Sequence, residues 1–273
     1  MNPLIIVATP NRCWLKPEVY FPKTVSELAE EAARCREAGA TVLHTHGLAD
    51  LDKEGISKGV GKWKEVFEET RKACDIIIQS GMSTLTMQQR IDVFDYKSDM
   101  VSIILNHHDE DFAEGNVDVL HPLEELEEYA IGCRKYGVRP EWEIWHSGSI
   151  WNLEQLIQKN LLDNNLPYIN TLFFGWPGGT WSPPTVEEYI YRRRLMPDNC
   201  ACVVSIMGKE QMDILVAAIM NGDNVRVGTE DYPFNRQGAV STAHELVKEI
   251  ADISRILGRE VATAEQAREI LGC

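Results

Sequence analysis

The sequence predicts a (β/α)8 barrel, the TIM-barrel form of the α/β class, as one domain over residues 1–273. Three observations lead there. Eight short β-branched runs alternate with amphipathic segments along the chain, and most of the runs are near-continuously apolar, as in parallel strands covered on both faces. No Gly-x-Gly-x-x-Gly follows the first run, which removes the main signal for an open dinucleotide-binding sheet.

Leu4–Ala8 is the first strand, apolar throughout. Thr24–Ala38 reads as the first helix, because Thr24 and Glu27 form a capping box at its start and Gly39 ends it. Strand Thr41–His46 and helix Lys62–Lys72 follow, then strand Asp75–Ser80 with its Ile76-Ile77-Ile78 run, and helix Thr86–Phe94. The fourth unit is Met100–Leu105 with helix Leu123–Tyr136, stopped by Gly137; the fifth is Glu141–Trp145 with helix Ile150–Leu162. Tyr168–Phe174 precedes helix Thr185–Leu195, where Thr185 and Glu188 repeat the capping box. Ala201–Ile206 leads to helix Lys209–Met220 and Gly222, and Asn224–Glu230 to helix Val240–Leu257 and Gly258. An extra helix, Thr263–Leu271, closes the chain.

The bulk properties agree with one cytoplasmic domain. The 12 prolines and 19 glycines are spread along the chain without a linker or repeat. A net charge of −15 disfavours nucleic-acid and anionic-membrane partners, so an anionic substrate needs a local basic pocket. The opening residues show no basic stretch followed by an apolar leader, and nowhere do about 18 apolar residues run together. Seven scattered cysteines, an odd number, read as reduced thiols, including the Cys200-Ala201-Cys202 pair.

In such barrels the chemistry sits at the C-terminal ends of strands. The second strand ends in His44-Thr45-His46, whose imidazoles share a face about 7 Å apart along the strand. Glu230 lies at the corresponding end of the eighth, so two imidazoles and a carboxylate point to a divalent metal with open positions for substrate. The competing reading makes them interior histidines and a salt-bridged carboxylate. Arg226 and Asp231 flank Glu230 and read either as a base and substrate clamp, in either order, or as a structural ion pair.

Other strand ends offer substrate contacts. They are Asn11 after the first strand, the Ser80-Gly81-Met82-Ser83 turn after the third, Asn106 with His107 and His108 after the fourth, and the Gly/Pro-rich loop Phe174–Trp181. Trp14, Trp145 and Trp176 put aromatic faces near the mouth that suit a cationic group, or simply pack.

Several segments together resemble the β-keto acid cleavage enzymes, the group that includes 3-keto-5-aminohexanoate cleavage enzyme. They are Ala8-Thr9-Pro10-Asn11, EAGATVLHTH at Glu37–His46, IIIQS at Ile76–Ser80, GVRPEWEIW at Gly137–Trp145, FFGWPGG at Phe173–Gly179, NVRVGTED at Asn224–Asp231 and LGREVATAEQAREILG at Leu257–Gly272. The resemblance implies zinc on His44, His46 and Glu230, substrate activation by Arg226 and Asp231, and a substrate carboxylate held by Ser80. It further implies acetyl-CoA as co-substrate, acetoacetate and a new acyl-CoA as products, and a homo-oligomer, commonly a tetramer.

The chain departs from the family pattern at Gly47-Leu48-Ala49, where a basic residue is usual, at Gly81-Met82-Ser83, at Trp145-His146 and at Tyr232. The expectation is a retained metal core with an altered substrate wall. Two alternatives stand beside it: a CoA-independent metal-dependent lyase or aldolase acting on an oxo acid or sugar acid, and a barrel that binds without catalysis.

Overall fold

Val7 sits between two partners, Val42 on one side and Arg226 on the other, and that double pairing is where the sheet closes on itself. The structure, a computed structural model, describes residues 1–10, 19–48, 62–81, 94, 96–105, 108–109, 118–119, 123–176 and 182–273. Within them run β1 (Ile6–Ala8), α1 (Val25–Ala38), β2 (Val42–Thr45), α2 (Trp63–Ala73), β3 (Ile77–Gly81), β4 (Met100–Ile104), β5 (His108–Asp109), β6 (Asp118–Val119) and α3 (Leu123–Tyr136). Then come β7 (Arg139–Ile144), α4 (Ser147–Gln158), β8 (Tyr168–Phe174), α5 (Val186–Leu195), β9 (Cys200–Ile206), α6 (Gln211–Asn221), β10 (Asn224–Val227), α7 (Ala243–Ile256) and α8 (Ala264–Leu271).

Eight of these strands form a closed parallel barrel in the order β1, β2, β3, β4, β7, β8, β9, β10, so the chain is a (β/α)8 barrel. The capping signals act as the sequence suggested. Thr24 and Glu27 cap α1 reciprocally, Thr185 accepts from Glu188 N–H at α5, and Gly222 ends α6 in a left-handed conformation. One small element was not expected: β5 and β6 pair antiparallel outside the barrel. The expected helix Thr86–Phe94 lies almost wholly outside the described residues.

Strand pleating sorts the barrel interior into two storeys. The lower one is apolar: Ile5, Val7, Val42, Ile77, Met100, Ile169, Ala201 and Val203 pack together, and Ala262, Ala267 and Leu271, from α8 and the turn before it, join them. The extra C-terminal helix therefore closes the N-terminal end of the barrel. Two residues further along the same strands stand His44, Gln79, Ser102, Thr171 and Ser205, with Glu141, Glu143 and Arg226 from β7 and β10. The polar storey thus lies toward the C-terminal ends. No helix among the described residues is long and apolar enough to cross a membrane.

Candidate metal centre

His44 ends the run of inward residues on β2, and His46 stands just past the strand. Their Nε2 atoms are 3.3 Å apart with the rings near perpendicular, and Glu230 Oε1 lies 3.5 Å from His44 Nε2 and 3.2 Å from His46 Nε2. All three side chains are buried. Donors that each sit 2.0–2.1 Å from one tetrahedral zinc lie roughly 3.3 Å from one another, which is the spacing seen. Glu230 Oε2 is also buried with no hydrogen-bond partner among the described residues, an oxygen that an ion would satisfy. The donor set and its spacing fit a divalent metal.

The backbone that carries Glu230 differs from expectation. β10 stops at Val227, and Glu230 and Asp231 stand in a turn docked on the end of β1 through Glu230 N–H to Thr9 C=O, 3.2 Å, and Thr229 Oγ1 to Pro10 C=O, 3.1 Å. Gly228 makes the docking possible: at φ +155° its Cα faces Thr9, and a Cβ there lies 2.4 Å from the Thr9 carbonyl oxygen.

Arg226 ties both acids together. Its Nε lies 2.9 Å from Asp231 Oδ2, and its Nη2 lies 2.8 Å from Asp231 Oδ1 and 2.7 Å from Glu230 Oε1. Ser205 Oγ donates to Asp231 Oδ2 at 2.9 Å, and the guanidinium lies 5.0 Å from the Phe173 ring centre. Burial by itself would raise the Glu230 carboxyl, but the facing His46, His44 and Arg226 outweigh it and hold the group well below the usual carboxylate range. Burial likewise opposes the charge on Arg226, and Asp231 and Glu230 overcome it, so the guanidinium stays charged.

The structure brings His44, His46, Glu230, Arg226 and Asp231 to one place. It does not bring Ser80 there. Ser80 sits between the inward Gln79 and Gly81, so the pleat turns its hydroxyl away from the interior to Ser98 Oγ, 3.1 Å, and the Met100 carbonyl, 3.3 Å. The hydroxyl expected to hold the substrate carboxylate thus has its described partners outside the cluster. Asn11 and Asn106 lie outside the described residues, as do Trp14 and His107. His146 caps α4, its Nδ1 accepting from Gly148 N–H at 3.0 Å. Trp145 and Trp176 are buried with Ile104, Phe173 and Met207, and Trp145 stacks on Phe173 at 4.4 Å while donating to Glu143 Oε2 at 2.9 Å.

Sequence reasoning missed the partners behind the cluster. Gln79 Oε1 lies 2.7 Å from His44 Nδ1, and Gln79 Nε2 donates to Glu141 Oε2 at 3.1 Å. Glu143 accepts from Ser102. Burial, reinforced by neighbouring Glu143, pushes Glu141 up to about 7. The signal was present in Glu141-Trp142-Glu143: two acids at alternate positions of a strand covered on both faces point into a barrel.

A family model described as beta-keto acid cleavage enzyme matches residues 3–273. The chain belongs to this family. Among curated members, this beta-keto acid cleavage enzyme family protein is 29% identical over 256 residues to 3-keto-5-aminohexanoate cleavage enzyme of Acetoanaerobium sticklandii, covering 92% of this chain and 90% of the relative. It is 24% identical over 274 residues to the 3-dehydrocarnitine:acetyl-CoA trimethylamine transferase of Rhizobium meliloti, with the same coverage. The type I 3-dehydroquinate dehydratase of Clostridium difficile matches in structure with a TM-score of 0.59 over 94% of this chain and 93% of that one. At 12% identity that likeness shows the barrel fold alone.

Proposed function

We propose that this family member is a zinc-dependent enzyme that condenses a β-keto acid with acetyl-CoA, giving acetoacetate and a new acyl-CoA. The observation that carries the reading is the convergence of His44, His46 and Glu230 beside the Arg226–Asp231 pair, in a chain of the beta-keto acid cleavage family. The acetyl-CoA in the name of the Rhizobium meliloti relative supports the co-substrate.

His44, His46 and Glu230 would hold the ion. When bound, it supplies a Lewis acid for the keto and carboxylate oxygens of the substrate. Asp231 is the base: Arg226 and Ser205 fix both its oxygens, which holds it aimed for the proton on substrate carbon 2. Carbon 2 then attacks the thioester carbonyl of acetyl-CoA, CoA passes to the former keto carbon, and breakage of the bond between carbons 2 and 3 leaves acyl-CoA and the enolate of acetoacetate, to which Asp231 returns the proton it took. The buried guanidinium of Arg226, fixed over Phe173, presents a charge to each oxyanion without reorganising. A cytoplasmic homo-oligomer, commonly a tetramer, completes the proposal.

The test is acetoacetate release from acetyl-CoA across neutral, acidic and cationic β-keto acids, with metal measured on the same sample. Release that requires both acetyl-CoA and about one zinc per chain supports the reading. A zinc-loaded protein that releases nothing on the whole panel overturns it in favour of the CoA-independent lyase.

A further inference from the structure

A neutral imidazole carries one hydrogen on either of two ring nitrogens, and in His44 only the nitrogen facing His46 and Glu230 can serve a metal. The choice is made inside the barrel by side chains that touch no ion. Glu141 on β7, Gln79 on β3 and His44 on β2 are all buried and form a line, Glu141 Oε2 to Gln79 Nε2 at 3.1 Å and Gln79 Oε1 to His44 Nδ1 at 2.7 Å. An ionised carboxylate has no hydrogen to give, so the end of the Gln79 amide that faces it is the NH2 group. The carbonyl end then faces His44, and a carbonyl only accepts. His44 therefore carries its hydrogen on Nδ1, and the lone pair on Nε2 points to His46 Nε2 at 3.3 Å and Glu230 Oε1 at 3.5 Å.

We infer that Gln79 is a positioning residue for the metal centre, that Glu141 sets its orientation, and that the pair locks His44 in the tautomer able to bind a divalent cation. The inference rests on the metal reading above. An amide turned end for end would set carbonyl against carboxylate and NH2 against Nδ1, leaving the His44 hydrogen on Nε2 where it blocks the ion. Partners of this kind behind metal-binding histidines typically contribute 10–100-fold to metal affinity. Glu141 is faced by Glu143 on its own strand, Thr171 on β8, Arg226 on β10 and His44 on β2. At pH 8 it is ionised, which sets the condition for the test.

The experiment uses the full chain stripped of metal, at pH 8. Ring-nitrogen NMR, with His44 assigned by its loss in His44→Gln, reads the tautomer, and competition with a chelator reads zinc affinity. Wild type should show His44 with its hydrogen on Nδ1. Gln79→Leu should show mixed tautomers and bind zinc about 10–100-fold more weakly. The exchange Gln79→Glu with Glu141→Gln keeps an acceptor on His44 Nδ1 and an amide donor behind it, so it should hold zinc within a few-fold of wild type. A wild-type His44 bearing its hydrogen on Nε2 overturns the inference, as does Gln79→Leu with undiminished affinity. If Gln79→Leu does not fold, the wild-type tautomer alone decides. Failure of the metal reading looks different: wild type itself takes up no zinc, or His46→Ala takes it up as tightly as wild type.

Discussion

Gly81 faces His44 across the β2–β3 junction at a distance that leaves no room for a side chain. A Cβ built there lies 2.7 Å from His44 Nε2 and 2.9 Å from His46 Cε1, inside van der Waals contact with both rings. The residue is glycine for space, so Gly81→Ala must displace both imidazoles at a strain of about 1–3 kcal/mol. We expect a folded barrel by circular dichroism with zinc affinity about 5- to 150-fold weaker, since 1.4 kcal/mol is a factor of ten. Unchanged affinity would show that the rings bind nothing in common.

Removing a ring has a larger expected effect. His46→Ala takes one of three donors from a buried cluster, and the purified variant should carry far less than one zinc per chain. Elemental analysis against wild type settles it.

Arg226 grips Asp231 with two nitrogens, a geometry lysine cannot reproduce. Arg226→Lys keeps the charge but loses the fork, so turnover should fall about 10²-fold or more through a misaimed base, with a smaller change in KM. Exchange of the carbon-2 proton of the β-keto acid with solvent deuterium, followed without acetyl-CoA, should slow by the same factor. If exchange is unaffected while turnover falls, Asp231 is not the base.

Glu141 gives the metal-free protein a pH dependence of definite sign. Its folded value is raised from 4.5 to about 7, so between those limits the folded chain holds a proton the unfolded chain has released. The stabilisation is complete below the lower value and is lost as pH rises through the upper one, on the order of 3 kcal/mol in all. Glu230 runs the other way: lowered in the fold, it adds stability above about 4.5 that disappears only on further acidification. Denaturant midpoints from pH 5 to 8 should fall more in wild type than in Glu141→Gln. Parallel curves for the two would refute the assignment.

Much of this was legible in the sequence, and the gaps have physical causes. Strand Tyr168–Phe174 and helix Leu123–Tyr136 were read with the bounds they have, because long periodic segments bounded by turn residues admit one interpretation. β5 and β6 are two residues each, too short to carry a period. His44, His46, Glu230, Arg226 and Asp231 were visible because ionisable residues at strand ends are conspicuous. The direction of the Ser80 hydroxyl was not legible, because a slip of one position reverses the face of a strand and a run of three isoleucines gives no clue to which face is which. Gln79 and Glu141 share the storey of His44, but a neutral amide and an acid inside a strand carry no signal of their own until the barrel closes and turns them toward the imidazole.

The apolar storey and α8 beneath it fill the N-terminal end of the barrel, so the polar side chains around His44 are backed by close apolar packing on that side. For the proposed reaction both the keto acid and the thioester therefore arrive from the side of the strand C-terminal ends, and no step can rely on passage through the barrel.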